Sequence, residues 1–176
     1  MRVILSCLIV ALFGACGGSR VVGTDDFIRH PVARLAVSPS GGEMAEAIAA
    51  SLREKGGNME ILDPEATAQI LRETGIMGPQ ATLPENLAKL RSRSIDAWLR
   101  ADFGTHAIAD VPQNISVRIS STHDAAQFID FVWHNAWGGM RGSLADATMR
   151  KGPEKAVDEV TDAILERLAQ RNDVEP

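Results

Sequence analysis

Ile115, Val117 and Ile119 alternate with Ser116, Arg118 and Ser120, and no other stretch of the chain restricts its fold so tightly. A period of two belongs to a strand whose successive side chains point to opposite faces. One face of this strand is apolar and the other carries hydroxyls and a guanidinium. It therefore belongs to a sheet with one polar face, and such sheets are antiparallel. A further strand, expected over Phe128 to Trp137, follows the turn Thr122-His123-Asp124 closely enough to form a hairpin or meander.

Upstream the periodicity changes. Leu35-Ala36-Val37 reads as a short buried strand, Ser38-Pro39-Ser40-Gly41-Gly42 as a turn, and Met44, Ile48 and Leu52 as the buried stripe of a helix that stops at Gly56-Gly57. Met59 to Leu62 is a second strand, which completes a β-α-β unit. Asp63 then caps a helix opened by Pro64 and closed by Gly75. Thr82-Leu83-Pro84-Glu85 reads as a capping box for a helix through Leu87 and Leu90 to Arg93, and Ile95, Ala97, Leu99 and Ala101 alternate as a third strand. Ser143 to Asp146 starts a short helix. Gly152-Pro153 separates it from a long one striped by Val157, Val160, Ile164 and Leu168. The expected fold is α/β, a mixed and roughly five-stranded sheet in the order β-α-β-α-α-β-β-β-α with flanking helices. It occupies one domain over residues 33–172, with a tail at 173–176.

The amino-terminal residues carry an address. Met1-Arg2 is followed by an apolar run from Val3 to Phe13, well short of the roughly 20 residues a membrane-spanning helix needs. Leu12-Phe13-Gly14-Ala15-Cys16 resembles the lipobox of bacterial lipoproteins, with Phe13 where leucine is usual. That resemblance implies a signal peptide over 1–15, a diacylated thiol and an acylated amino terminus at Cys16, and anchoring through three acyl chains. Cys7 would leave with the signal, so the mature protein would hold no free thiol for catalysis or disulfides. Residues 16–32, with Gly17, Gly18, Gly23, Asp25-Asp26 and Pro31, read as a short linker. Gly17 stands where an aspartate would resemble an inner-membrane retention signal, so the periplasmic face of the outer membrane is the expected location.

Behind this lipobox, the element order resembles the small periplasm-facing lipoproteins that include the curli secretion lipoprotein domain and the lipoprotein activator of peptidoglycan synthases. The resemblance spans about Ala33 to Leu168. It rests on the first strand Leu35-Ala36-Val37 with its glycine-bearing helix start, and on a helix following the strand that ends at Asp63. It implies a protein that acts by binding other proteins or by assembling into rings. The chain lacks the extra length of a pore-forming hairpin, and its linker is shorter than the arms of activators that cross the peptidoglycan.

With 18 Lys plus Arg against 23 Asp plus Glu and a net charge of -5, no positive field exists for nucleic acid. Candidate function concentrates in Val132 to Ser143, which holds two of the three tryptophans. On a strand, Trp133, Asn135 and Trp137 share a face. If solvated, that face is a platform for a protein partner or a glycan ring, with Gly138, Gly139 and Arg141 beside it. The same spacing also suits tryptophans packed under the C-terminal helix with Asn135 capping a turn. The glycines match no phosphate-loop spacing, and Asp146 would repel a phosphate.

His106, His123 and His134 are scattered, although His123 and His134, with Asp124, would form a metal site if the hairpin brought them together. No catalytic residue, metal or cofactor is assigned. The basic groups Lys89, Arg91 and Arg93, and Arg141, Arg150 and Lys151, suit either anionic headgroups or solvated helix ends. The expectation is an outer-membrane lipoprotein, anchored at Cys16, that binds or assembles an envelope protein complex through a protein partner or self-association. The alternative is a peptidoglycan- or glycan-binding module using the Trp/Asn platform.

Overall fold

The computed structural model describes residues 20–25, 30–106, 109–135 and 150–169. Six strands, β1 (Arg20–Asp25), β2 (Arg34–Val37), β3 (Glu60–Leu62), β4 (Ala97–His106), β5 (Ala109–Ser121) and β6 (Gln127–His134), form one mixed sheet in the order β1-β6-β5-β4-β2-β3. The helices among the described residues are α1 (Gly42–Lys55), α2 (Pro64–Thr74), α3 (Pro84–Arg91) and α4 (Pro153–Ala169). The α/β class and the mixed sheet are as expected. β2 runs parallel to both β3 and β4, while β5 is antiparallel to β4 and β6.

The additional strand is β1, which lies inside the stretch read as a linker and pairs antiparallel with β6 from Arg20↔His134 to Asp25↔Ile129. Gly23, which suggested a linker, is required by the pairing. A Cβ there would lie 2.5 Å from the Cβ of Phe131. Val21 packs on the core, while Val22 on the opposite face stays 46% exposed. A six-residue strand on a sheet edge leaves little periodicity to read, and the paired strand that holds it is over a hundred residues away.

Local chemistry explains the helix ends. The Asp63 carboxylate accepts from the Ala66 N–H at 2.7 Å, and Gly75 closes α2 in the left-handed region at φ 67°. The Ala66 N–H is the main cause that holds the Asp63 carboxyl below its ordinary value, with the Arg53 guanidinium adding to it against the opposing effect of burial. The capping box at Thr82 does not form. Pro84 takes the first helical position, which makes Leu83 the cap and leaves it without a side-chain hydrogen bond.

The sheet separates two cores. α1 and α4 pack on one face against Leu35, Val37, Leu99, Val117, Ile119, Phe131 and Trp133. Ala36 and Trp98 point the other way, into a smaller cluster with Leu71 of α2, Leu87 and Leu90 of α3, and Ile95. Lys55 of α1 bonds Asp158 and Asp162 of α4, and these carboxylates raise its pKa above the ordinary value. No helix of the described residues is long and apolar enough to cross a membrane.

Candidate functional site

The tryptophan and amide candidates of β6 turn inward. Trp133 sits opposite Ile115 of β5 and Val21 of β1, on the face covered by α4, and is fully buried. Its indole Nε1 donates to Glu159 Oε2 at 3.0 Å, and Glu159 also bonds Lys151. Asn135 is a buried joint. Its Nδ2 donates to the carbonyls of Pro112 and Lys151, each at 2.9 Å, and its Oδ1 accepts from the Lys151 N–H at 3.0 Å. This corrects the reading of Trp133 and Asn135 as a solvated platform. The period of two put them on one face, and that face is the one α4 covers. Trp137, Gly138, Gly139 and Arg141 lie outside the described residues, as do the signal segment, Cys16 and the helix start at Ser143.

The histidines do not converge as the hairpin reading required. His134 pairs with Asn114 at the far end of β6, whereas His123 occupies the β5–β6 turn. Strand length separates them. His123 instead stacks on His30, with ring centroids 4.4 Å apart, and its Nε2 lies 3.3 Å from Asp96 Oδ1. Asp96 is a knot that the sequence reading missed. Its Oδ2 accepts from the N–H groups of Ala33 at 3.0 Å and Arg34 at 2.8 Å, so one carboxylate ties the entry of β2 to the hairpin turn. Nothing in the spacing marks Asp96, because its partners lie more than twenty residues away on either side. Among the described residues, no group of three or more His, Cys, Asp or Glu is placed to hold a metal.

The surface that remains is the second face of β4, β5, β6 and β1. The smaller core ends at Trp98, and no described helix covers the sheet beyond it. Cross-strand pairing lays out rows on this face: Arg100, Arg118, Asp130 and Thr24, then Asp102, Ser116, Val132 and Val22. Arg100 Nε lies 2.8 Å from Asp102 Oδ2, and Arg118 Nε lies 3.9 Å from Asp130 Oδ1. The side chains of all four are 40% to 49% exposed. The face is thus a grid of mixed charges with an apolar margin at Val22 and Val132. Arg118 and Ser116 were legible as the polar side of the alternating strand. Arg100 was concealed inside a strand read for its apolar residues.

No protein-family model matches the chain, and no characterised protein matches it in sequence. Among solved structures, the chain is similar to a PelC dodecamer from Paraburkholderia phytofirmans in two crystal forms, at TM-scores of 0.49 and 0.48 and identities of 15% and 16%. Each match covers 86% of this chain, and 97% and 96% of the PelC chains. Lipoprotein GNA1162 from Neisseria meningitidis is similar at a TM-score of 0.43 and 11% identity, over 81% of this chain and 99% of that one. The likeness is one of chain course alone, at a level that carries no function with it. None of these structures is named as a curli-secretion lipoprotein or a synthase activator.

Proposed function

We propose that this chain is a lipid-anchored protein of the bacterial envelope, at the periplasmic face of the outer membrane, that acts without catalysis by binding a protein partner on the face of β4, β5, β6 and β1 that no described helix covers. The bare face carries the reading. It combines exposed Arg100, Asp102, Arg118 and Asp130 with Val22 and Val132, a mixture suited to a complementary protein surface rather than to a lipid or nucleic acid. The anchor supports it. β1 starts at Arg20, four residues after Cys16, so the extended reach between them is about 14 Å. An acylated Cys16 would therefore hold the sheet edge close to the bilayer.

The environment of His123 supports a non-catalytic role. Among the described residues its ring meets His30 and Asp96, and Ser121 Oγ accepts from its backbone N–H. One observation favours self-association as a second reading. β1 is an edge strand six residues long, and its outer backbone groups are a template for another strand.

Mass spectrometry of the protein from envelope fractions should find Cys16 as the amino terminus carrying three acyl chains, and Cys16→Ser should release the domain from membranes. An unmodified Cys16 would sink the anchoring reading. A photo-crosslinker at Ser116 should give a discrete adduct that one at Glu46, on the outer side of α1, does not. Adducts from Glu46 alone would move the interface to the helical side, and a ladder of multiples of the chain mass would select self-association.

A further inference from the structure

The turn after β2 and the turn between α2 and α3 enclose a cleft of about 280 Å³, lined in part by Ser38, Ser40, Pro79, Thr82, Trp98 and Arg100. Its place in the topology is informative. β2 is flanked by β3 on one side and β4 on the other, both parallel to it, while α1 packs on one face of the sheet and α2 with α3 on the other. The cleft therefore opens at the carboxyl end of β2, where the strand order reverses. In open α/β sheets such a crevice is the usual place for a ligand.

The lining offers donors and no carboxylate. Ser38 Oγ and Ser40 Oγ are 2.9 Å apart, and either can donate to the other. Whichever does so, the second hydroxyl keeps its proton for another acceptor. The Arg100 Nε is taken by Asp102, at 2.8 Å to Oδ2 and 3.1 Å to Oδ1, which leaves both terminal nitrogens without a partner among the described residues. Arg118 lies directly across from Arg100 on β5 and adds a second positive charge beside it, with Asp102 and Asp130 each balancing one guanidinium. Thr82 adds a third hydroxyl from the α2–α3 connection. Ser38 is buried and Trp98 fully so, which gives the cleft a fixed floor, while Pro39 and Pro79 supply apolar walls for a short carbon skeleton.

We propose that this cleft binds a small phosphorylated ligand, with Arg100 on its phosphoryl oxygens and the Ser38–Ser40 pair and Thr82 donating to the rest. Donors arrive from a turn, a helix connection and a strand, which suits the three oxygens of a phosphoryl group better than the two of a carboxylate. The volume admits a phosphate ester of a few carbons and excludes a polymer. The same phosphomonoester could come from a soluble ester or from the headgroup of phosphatidic acid.

The test uses the full chain in uncharged detergent micelles, followed by amide NMR. It is titrated separately with inorganic phosphate, with glycerol 3-phosphate, and with phosphatidic acid mixed into the micelles. Saturable shifts at Ser38, Ser40 and Arg100 are expected. The apparent Kd should weaken at least tenfold in Arg100→Gln and severalfold in Ser40→Ala, and both variants should retain wild-type chemical shifts elsewhere. Saturation by inorganic phosphate or glycerol 3-phosphate in solution assigns a soluble ligand, whereas saturation by phosphatidic acid alone assigns the headgroup. Both support the cleft. Absence of saturable shifts with all three probes overturns the proposal, as does binding that Arg100→Gln leaves unchanged. Because these outcomes are read at the cleft residues and in variants that leave Cys16 intact, they stand apart from the acylation of Cys16.

Discussion

Among the described residues, the parallel half of the sheet, β3-β2-β4, lies between helices on both faces, whereas the antiparallel half, β4-β5-β6-β1, carries helices on one face only. The first half reads as an apolar run at Leu35-Ala36-Val37, each residue fully buried. The second reads as alternation, apolar towards α1 and α4 and charged on the reverse. Strands buried on both faces exist to hold the fold, and strands with a bare face are free to meet something else. The boundary between the halves is β4, where Trp98 belongs to a core and Arg100, two residues on, belongs to a surface.

Truncations in the two cores probe this contrast most strongly. Trp133→Ala should cost about 3 to 5 kcal/mol and Leu90→Ala about 2 to 5 kcal/mol, read from urea unfolding midpoints at constant slope. Each residue is fully buried, one on each side of the sheet. If Leu90→Ala left the midpoint in place, the smaller cluster would not be a core and the parallel half would lose its second cover. Trp133→Ala also strips Glu159 of its indole donor, so Trp133→Phe should recover most of the packing but not the hydrogen bond.

A smaller effect is expected where β3 hands over to α2. Asp63→Ala should cost about 1 kcal/mol through loss of the cap. The folded carboxyl lies below its ordinary value, so its contribution is present above the unfolded carboxylate pKa and is lost as pH falls through the folded one. The gap between wild type and Asp63→Ala should therefore be constant near neutrality and close below about pH 4. A gap that widened in acid would show that Asp63 acts through something other than its ionised cap.

The smallest effects belong to the bare face. Arg118→Ala and Ser116→Ala should each change stability by no more than about 0.5 kcal/mol while altering partner binding. A loss of several times that would mean that the grid of charges supports the fold, and the two halves would then differ less than their helices suggest.

Much of this organisation was legible in the residues. Asp63, Pro64 and Gly75 bracketed α2 correctly because capping is a local hydrogen bond between residues three apart. The stripes Met44, Ile48, Leu52 and Val157, Val160, Ile164, Leu168 face the core as their spacing required. Thr82 was misleading because a cap and the residue beside it cannot be told apart until Pro84 is seen to occupy the first turn. β1 was passed over because its partner strand, not its own composition, makes it a strand. Trp133 and Asn135 were placed on one face of β6, yet no rule of spacing says which face a helix twenty residues later will cover.

The sequence by itself determined the alternation of β5, the caps and stripes of the helices, and the lipobox-like segment that ends at Cys16, because each depends on neighbours within a turn or a pleat. Tertiary structure decided that Trp133 is core, that Arg20–Asp25 joins the sheet, that Asp96 ties β2 to a distant turn, and that Ser38, Ser40 and Arg100 share one cleft. Those outcomes depend on which elements meet. That choice is made by burying the whole apolar surface at once, so no single stretch of the chain contains it.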